Sequence, residues 1–261
     1  MHLNHKVMLS FDIEEFDVPQ EYGANIPFDE QIKISEGGTN IILDILRESG
    51  IKATFFSTVT FAKNVPEVIQ RIVKEGHELA SHGWFHSSFE NKDLLASRHE
   101  LERISGREVK GFRMARMMEV DNEAIRSAGY VYNSSLNPVY LPGRYNNFTS
   151  PRTIFEDDGL IQLPASATPL LRIPLFWLSF HHLPLWFYKS ACNRTMRRDG
   201  YLNIYFHPWE FTDLSNARLG LPWLIQKNSG ADMISRFNKL LGWMKSKQYS
   251  FDTMIAFVND R

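Results

Sequence analysis

The sequence predicts an α/β fold in which helices pack around a parallel sheet, either closed into a barrel or open. Short apolar segments alternate with segments of helical period, which is the pattern of parallel strands joined by crossover helices. The length of 261 residues suits a single α/β barrel, and a hydrophobic fraction of 43% supports a packed core. No repeat or linker interrupts the chain, so we expect one domain over residues 1–261.

The predicted strands and helices follow one another along the whole chain. Strands are predicted at residues 7–12, 52–58, 77–81, 109–113, 130–132, 161–164, 202–207 and 251–257. Helices are predicted at residues 38–49, 64–76, 91–105, 121–128 and 231–245. The second of these helices has Asn64 as its cap and Pro66 in its first turn, and it ends at Gly76.

Charge and cysteine content limit the partners and the compartment of the protein. The formal net charge of −1 provides no basic field that would gather phosphates, so we expect no nucleic-acid partner. The single cysteine, Cys192, excludes an internal disulfide and fits a reducing compartment. The N-terminal segment MHLNHKVML lacks the long apolar region of a signal peptide, and we expect a cytoplasmic protein.

The most apolar segment runs from Pro169 to Ala191. Arg172, His181, His182 and several prolines interrupt it, so it is a poor candidate for a membrane span. We predict packed helix and loop on the side of the barrel. The alternative is a patch that contacts a membrane surface or a partner protein. The sequence does not indicate the oligomeric state.

Strand parity explains the acidic segment MLSFDIEEFD, residues 8–17. Alternate side chains of a strand share a face. Asp12 and Glu14 share the inward face, whereas Ile13 lies on the apolar face that would pack against the outer helices. His207 ends another predicted strand with the same inward parity. Because chemistry in these barrels sits at the carboxyl ends of the strands, we expect the two acids and His207 to line the barrel mouth.

Two histidines four residues apart, His82 and His86, directly follow the third predicted strand. On a helical turn they would share a face and could bind one metal ion. Two imidazoles and one carboxylate, with positions open to water, describe a catalytic zinc site, and Glu14 could supply the carboxylate. We therefore expect a divalent metal, with Zn²⁺ as the first choice. Structural histidines and a solvated acidic loop are the alternatives, and we assign the nearby His77 a structural role at the opposite end.

The remaining polar residues of these segments have narrower expected roles. Asp12 could stay off the metal and accept a proton from bound water, and His207 could protonate a leaving group. Arg113 could orient Asp12 through a charge-assisted pair, or it could form a plain structural ion pair. Glu15 and Asp17 have the wrong parity or lie beyond the strand. We expect them to cap, to pair with cations or to face solvent.

These segments resemble those of the NodB-like polysaccharide deacetylases, in the branch with a His-Pro-Trp-Glu segment. SFDIEE, residues 10–15, stands where the family has its aspartate-rich first motif. ATFFSTVTFAKNVPEVIQRIVKEGHELASHGWFH, residues 53–86, is similar to the block that ends in the metal-binding His-x-x-x-His. GFRMA resembles the arginine-containing motif, and GYVYNSSLNP and YFHPWE resemble later segments. The resemblance covers most of residues 6–212.

The resemblance implies a distorted (β/α) barrel, often with seven strands, and metal-dependent hydrolysis of an N-acetyl group. The implied substrate is an N-acetylated glycan, such as a cell-surface polysaccharide or its precursor. By position, the resemblance implies Asp12 as the base, His207 as the acid, and His82 and His86 as metal ligands. The metal and a backbone N–H near Ala115 would stabilise the oxyanion.

Three departures from the family pattern affect these expectations. Ile13 stands where many members have a second, metal-binding acid, and Glu14, one place further on, suits the members that shift this ligand. Ala115 and Arg116 replace the usual proline and aromatic residue of the third motif, so the shape of the substrate site is expected to differ. The acid-rich fourth motif is not evident.

Three other functions fit the same residues. One is hydrolysis of a small cyclic or linear amide on the same barrel, sometimes without metal. Another is a catalytically inactive barrel that binds glycans or a partner through Trp84, Trp209, Trp223 and the aromatic residues of 176–188. The last is an intracellular role in assembling a surface polysaccharide on a lipid-linked intermediate.

Overall fold

The computed structural model describes residues 5–261, and most of the predicted strands are present. Residues 1–4, part of the segment that suggested a cytoplasmic protein, lie outside the described residues. The strands are β1 (Lys6–Ile13), β2 (Thr54–Ser57), β3 (Glu78–Ser81), β4 (Gly111–Phe112), β5 (Tyr132–Asn133), β6 (Tyr140–Leu141), β7 (Tyr145–Asn146), β8 (Phe155–Asp157), β9 (Leu160–Gln162), β10 (Tyr201–Phe206) and β11 (Ser250–Asp252).

Seven parallel strands form the centre of the molecule, in the order β10-β1-β2-β3-β4-β5-β9. β8 continues the sheet antiparallel to β9, and β11 pairs with β1 in parallel. β6 and β7 form a separate antiparallel pair. Beyond β9, the N–H of Ser166 donates to the carbonyl of Asn203 on β10 (2.8 Å), so the two ends of the sheet meet. The predicted distorted barrel with seven parallel strands is confirmed.

Helices connect the strands and cover the outside of the sheet. They are α1 (Val18–Glu21), α2 (Phe28–Ser49), α3 (Val59–Asn64), α4 (Pro66–Lys74), α5 (Lys92–Ser105), α6 (Asn122–Ser127), α7 (Trp177–His182), α8 (Leu185–Asp199), α9 (Trp223–Gln226), α10 (Ala231–Ser246) and α11 (Met254–Asn259). Among residues 5–261, none of these helices combines the length and the apolar character needed to cross a membrane.

The side chains of β1 divide between two apolar clusters as its parity predicts. Leu9 and Phe11 belong to the large cluster that β1 shares with the helices. Met8 belongs to a smaller cluster inside the barrel, together with Phe56 on β2. Towards the carboxyl end of β1 the inward position is Asp12, which is buried. The inward face of β1 is therefore apolar at Met8, near the amino end, and acidic at Asp12, at the mouth.

Several elements differ from the sequence prediction. Asn64 is the last residue of α3, and the cap residue of α4 is Val65 rather than Asn64. α2 begins at Phe28 rather than at Gly38, because its packing overrides the weak helix propensity of the central glycines. The last predicted strand, 251–257, is wrong beyond Asp252, where α11 follows. The Thr253 side chain caps that helix by accepting the N–H of Ala256. An apolar run this short fits either structure, and the cap decides in favour of the helix.

The centre of α2 packs directly on the turn that follows β10. This turn, Pro208–Phe211, is a short 3-10 helix. A Cβ atom on Gly38 would lie 2.0 Å from the Pro208 carbonyl oxygen, whereas a Cβ on neighbouring Gly37 would meet no atom within 4 Å. Gly38 thus permits the close approach of α2 to the turn that carries His207.

The contrast between these two glycines gives a stability prediction. Gly38→Ala should lower the free energy of unfolding by about 1–3 kcal/mol, because α2 and the turn must separate to admit the methyl group. Gly37→Ala, the matched control, should raise it by up to about 1 kcal/mol, because alanine favours a helix interior. Urea denaturation of both variants measures the difference. Equal stability of the two variants would contradict the proposed contact.

Candidate active site

The predicted site residues converge at the carboxyl ends of parallel strands. Asp12 belongs to β1, and Arg113 directly follows β4. Glu14, His82 and His207 directly follow β1, β3 and β10. Parallel strands place their carboxyl ends at one rim, so the fold brings these side chains together, and all of them except Arg113 line one cleft. The cleft has about 570 Å³ of empty space, and it is lined by Asp12, Glu14, His82, His86, Trp177, His207 and other residues.

Glu14, His82 and His86 form a buried cluster with the spacing of metal ligands. The Oε2 atom of Glu14 lies 3.1 Å from Nε2 of His82 and 3.1 Å from Nε2 of His86. One ligand atom from each residue lies within 4.8 Å of the others. The three side chains therefore face a common point from three sides.

The opposite ring nitrogens of the two histidines are already used. Nδ1 of His82 lies 2.9 Å from the Arg113 carbonyl oxygen, and Nδ1 of His86 lies 2.7 Å from Oδ1 of Asp17. Since a carbonyl and a carboxylate only accept, both Nδ1 atoms donate, and a neutral ring then presents a bare Nε2. This tautomer suits metal ligation, and two imidazoles with one carboxylate form a donor set typical of Zn²⁺. The residues fit a divalent metal.

His86 reaches the cluster from a loop rather than from a helical turn. The expected helical turn over residues 82–86 is absent from the described structure: β3 ends at Ser81, and the following residues are irregular, with Gly83 at φ +85°. The N–H of His86 donates to Oε1 of Glu15 (2.9 Å). The other oxygen of Glu15 accepts from the hydroxyl of Thr58 (2.8 Å). A backbone hydrogen bond to a buried acid thus does the positioning.

Glu15 and Asp17 have larger roles than their parity indicated. Both are buried, so the expectation that they could face solvent is wrong. Asp17 also accepts from Arg116 (3.1 Å), which agrees with the alternative of pairing with a cation. Burial alone would lower the pKa of His86, but the carboxylates of Glu14 and Asp17 outweigh it and raise this pKa to about 9. The excess of carboxylate around His86 favours a cation.

Asp12 is held by a fully buried arginine. Nη1 of Arg113 donates to Oδ1 of Asp12 (2.5 Å), while Nε and Nη2 of the same guanidinium donate to the backbone and side chain of Ser134. Burial acts to raise the pKa of Asp12, but Arg113 and the nearby imidazoles of His82 and His207 bring it below its ordinary value. Asp12 is therefore ionised at neutral pH, and its Oδ2 atom points towards His207 (4.0 Å).

His207 lies between two indoles and a buried carboxylate. Its ring stacks on Trp209, with centroids 4.8 Å apart, and meets the edge of Trp177. Nδ1 lies 3.0 Å from Oε1 of Glu210, which also accepts the backbone N–H of His207. Burial lowers the pKa of His207, but the carboxylates of Glu210, Glu14 and Asp12 outweigh it, so the pKa lies above its ordinary value.

Sequence reasoning missed the group behind His207. Glu210 is fully buried, and its second oxygen lies 2.9 Å from Nε2 of His181 on α7. His181 stood out in the sequence only as a break in an apolar segment. The Glu210 contact could have been suspected from the three-residue spacing to His207, but the contact from α7 depends on tertiary packing.

Arg116 occupies the rim of the cleft, where the sequence departs from the family pattern. It and Met117 adopt left-handed backbone angles (φ 57° and 53°), which are unfavourable for side chains of this size. The guanidinium of Arg116 pairs with Asp17 and with Glu21 of α1. Ala115, just before it, is buried. His77 lies away from the cleft, and its Nδ1 accepts from the N–H of Ala53 (3.2 Å), as expected for a structural residue.

Comparison with known proteins identifies the family. Residues 5–132 match the family profile described as polysaccharide deacetylase. A chitooligosaccharide deacetylase from Sinorhizobium fredii is 39% identical over 75 residues, which cover 28% of this chain and 33% of the relative. Peptidoglycan-N-acetylmuramic acid deacetylase PdaA from Bacillus subtilis is 32% identical over 69 residues, 26% of each chain.

Solved structures share the fold over a longer stretch. A family 4 carbohydrate esterase from Bacillus anthracis superimposes with a TM-score of 0.54 at 16% identity, covering 99% of this chain and 84% of that chain. The aligned segments of the curated relatives are short, covering 20% to 43% of their lengths. The resemblance seen in the sequence is nevertheless confirmed: residues 5–132 match the polysaccharide deacetylase family, and the chain has the barrel fold of its solved structures.

Proposed function

We propose that this protein is a metal-dependent hydrolase that removes N-acetyl groups from a glycan. The observation that supports this most strongly is the meeting of two groups of residues in one cleft. Glu14, His82 and His86 form a donor set for a metal, and Asp12 and His207 stand beside it with only 4.0 Å between Oδ2 and Nε2. The curated relatives named as deacetylases support an N-acetylated glycan as the substrate.

Glu14, His82 and His86 would hold the metal, with Zn²⁺ as the ion that the donor set suits best. When bound, such an ion polarises an amide carbonyl and lowers the pKa of water. Asp17 orients His86, and the Arg113 carbonyl orients His82, so both Nε2 atoms point at the same place. These contacts are the orienting partners that metal-binding histidines ordinarily have.

Asp12 is the proposed general base. Arg113 occupies one carboxylate oxygen, which fixes the plane of the group and leaves Oδ2 directed at the cleft. The lowered pKa keeps the carboxylate ionised, so Asp12 is ready to accept a proton from the attacking water. Arg113 acts here through Asp12 and does not line the cleft.

His207 is the proposed general acid. Its raised pKa favours the imidazolium at neutral pH, and its Nδ1 is committed to Glu210. Nε2 is then the atom that can donate a proton to the departing sugar amine. The stacked contact with Trp209 and the edge contact with Trp177 hold the ring in one plane. The cleft therefore holds a proton acceptor and a proton donor side by side, as hydrolysis of an amide requires.

Acetate release from N-acetylated oligosaccharides in the presence of Zn²⁺ tests this proposal. Asp12→Asn should lower turnover by about 10²–10⁴-fold, because the base is lost, and should leave zinc binding intact. His82→Ala should lose both zinc and turnover. Asp29→Asn, which removes an exposed acid at the start of α2, should leave both unchanged.

The same assay separates the alternatives. Release of product from small cyclic amides but not from N-acetylated oligosaccharides would replace the glycan substrate with a small amide. Zinc binding without turnover of either substrate class would support the inactive barrel. Near wild-type turnover in Asp12→Asn would reject Asp12 as the base, and full zinc occupancy in His82→Ala would reject His82 as a ligand.

The carboxylate behind His86 gives a second prediction. Asp17→Asn should weaken zinc binding by about 10–100-fold, because His86 loses the charged partner that orients it. Glu21→Gln is the matched control: it also removes a partner of Arg116 but does not touch His86. Competition titration with a chromogenic chelator measures both affinities. A loss of affinity in the control equal to that in Asp17→Asn would assign the effect to Arg116 instead.

A further inference from the structure

Behind the cleft, a chain of buried hydrogen bonds joins His207 to α7. It runs from His207 to Glu210, from Glu210 to His181, and from His181 to the carbonyl oxygen of Lys227. His181 and Glu210 have no exposed surface. A fully buried pair of titratable groups must be compensated internally, so the positions of its protons can be argued from its contacts.

The contacts fix the number of protons on the pair. Nδ1 of His181 lies 2.7 Å from the carbonyl of Lys227, and because a carbonyl cannot donate, this nitrogen carries a proton. Nε2 lies 2.9 Å from Oε2 of Glu210, a distance that requires one further proton between them. Whether that proton sits on His181 or on Glu210, the pair has no net charge.

We propose that His181 is a positioning residue that shares the Glu210 carboxylate with His207 and thereby limits how tightly His207 holds its proton. This inference rests on the proposed role of His207 as the acid. An acid that faces an unshared buried carboxylate would bind its proton too strongly to release it to an amine. With His181 present, one oxygen of Glu210 still orients His207, while His181 at the other oxygen balances most of the carboxylate charge.

The other charged groups around this chain do not take the place of His181. Asp12 and Glu14 face His207 from β1, and Arg113 is committed to Asp12 and Ser134. On the far side, His182 bonds the carbonyl of Leu224, and Arg236 bonds the carbonyls of Phe180 and Leu183. Within the described residues, His181 and His207 are the side chains that hydrogen-bond to Glu210.

Two charge-removing substitutions should have opposite effects on His207. His181→Gln keeps an N–H that can bond Glu210 but leaves the carboxylate charge unbalanced, so the pKa of His207 should rise by about one unit. Glu210→Gln removes the nearer charge, so that pKa should fall by about one unit. His207 must be protonated to act. The alkaline limb of the pH–rate profile should therefore move to higher pH in His181→Gln and to lower pH in Glu210→Gln.

Titration of the His207 ring by NMR on the full chain measures the same pKa without relying on activity. His182→Gln on the same helix is the matched control and should shift nothing, and the zinc affinity of each variant checks that the cleft is intact. Shifts in the same direction, or no shift in His181→Gln with unchanged zinc affinity, would overturn the proposal. Opposite shifts by NMR in a protein without deacetylase activity would leave this inference standing and reject the proposed function instead.

A second inference concerns the exposed face of α8 and the turn beside it. The three largest exposed fractions among the big apolar side chains of the described residues belong to Leu170 (80%), Leu171 (76%) and Trp186 (71%). The two leucines lie on an exposed turn in which Leu170 and Arg172 have left-handed backbone angles. Arg172 anchors that turn by donating to the carbonyls of Pro138 and Ser150.

Cations lie beside the leucines. Arg194, Arg197 and Arg198 on α8 line one groove with Leu170. Within residues 5–261, none of the three forms an ion pair, whereas Arg152 in the same groove is paired with Asp199. Trp186 lies two turns before Arg194 on the exposed side of α8. We propose that this surface docks on anionic phospholipid headgroups, with the arginines at the phosphates and Leu170, Leu171 and Trp186 in the interface.

Sedimentation of the full chain with vesicles tests this surface. Binding is expected to phosphatidylglycerol vesicles and not to phosphatidylcholine vesicles, and it should weaken with salt. Leu170→Ser/Leu171→Ser and Arg194→Gln/Arg197→Gln/Arg198→Gln should each weaken it more than tenfold. Leu95→Ser/Arg126→Gln, which changes an exposed leucine and an exposed arginine elsewhere, should not. Absence of binding, equal binding to both lipids, or loss in the control alone would overturn the proposal.

Discussion

The site depends on the burial of five carboxylates around the mouth of the barrel. Asp12, Glu14, Glu15, Asp17 and Glu210 are each at most 6% exposed. A buried carboxylate is costly unless cations or hydrogen-bond donors compensate it. The positions of Arg113, of the four buried or nearly buried imidazoles and of the loop after β3 follow from this requirement. The geometry of the candidate site therefore also meets an electrostatic requirement of folding.

The buried carboxylates are not equally compensated, and the difference distinguishes Glu14 from the others. Asp12 has its own guanidinium, and Glu15 has a hydroxyl and a backbone N–H. Glu14 instead faces two Nε2 atoms whose rings already donate through Nδ1. Those rings can both satisfy Glu14 only by becoming imidazolium ions. A divalent cation at the shared point would satisfy all three groups at once, which is why this cluster, and not the others, fits a metal.

Much of this arrangement could be predicted from local sequence because strand parity and strand order are local properties. Parity separated Asp12 and Glu14 from Ile13, and the position of His207 after β10 placed it at the same rim. Parity failed for Glu15 and Asp17, because the strand ends at Ile13 and the chain then turns inward. His181 could not be found this way, since its contact with Glu210 depends on how α7 packs against the turn after β10.

Arg116 shows how one departure from the family pattern can be accommodated by the same electrostatics. Arg116, which stands in the place of the family's usual aromatic residue, has a left-handed backbone that is unfavourable for a side chain of this size. The strained turn is held by the pairing of Arg116 with Asp17, which is the carboxylate that orients His86. The rim of the cleft and His86, a proposed metal ligand, thus share one acid. A change at Arg116 is therefore coupled to the proposed metal site through the single buried side chain of Asp17.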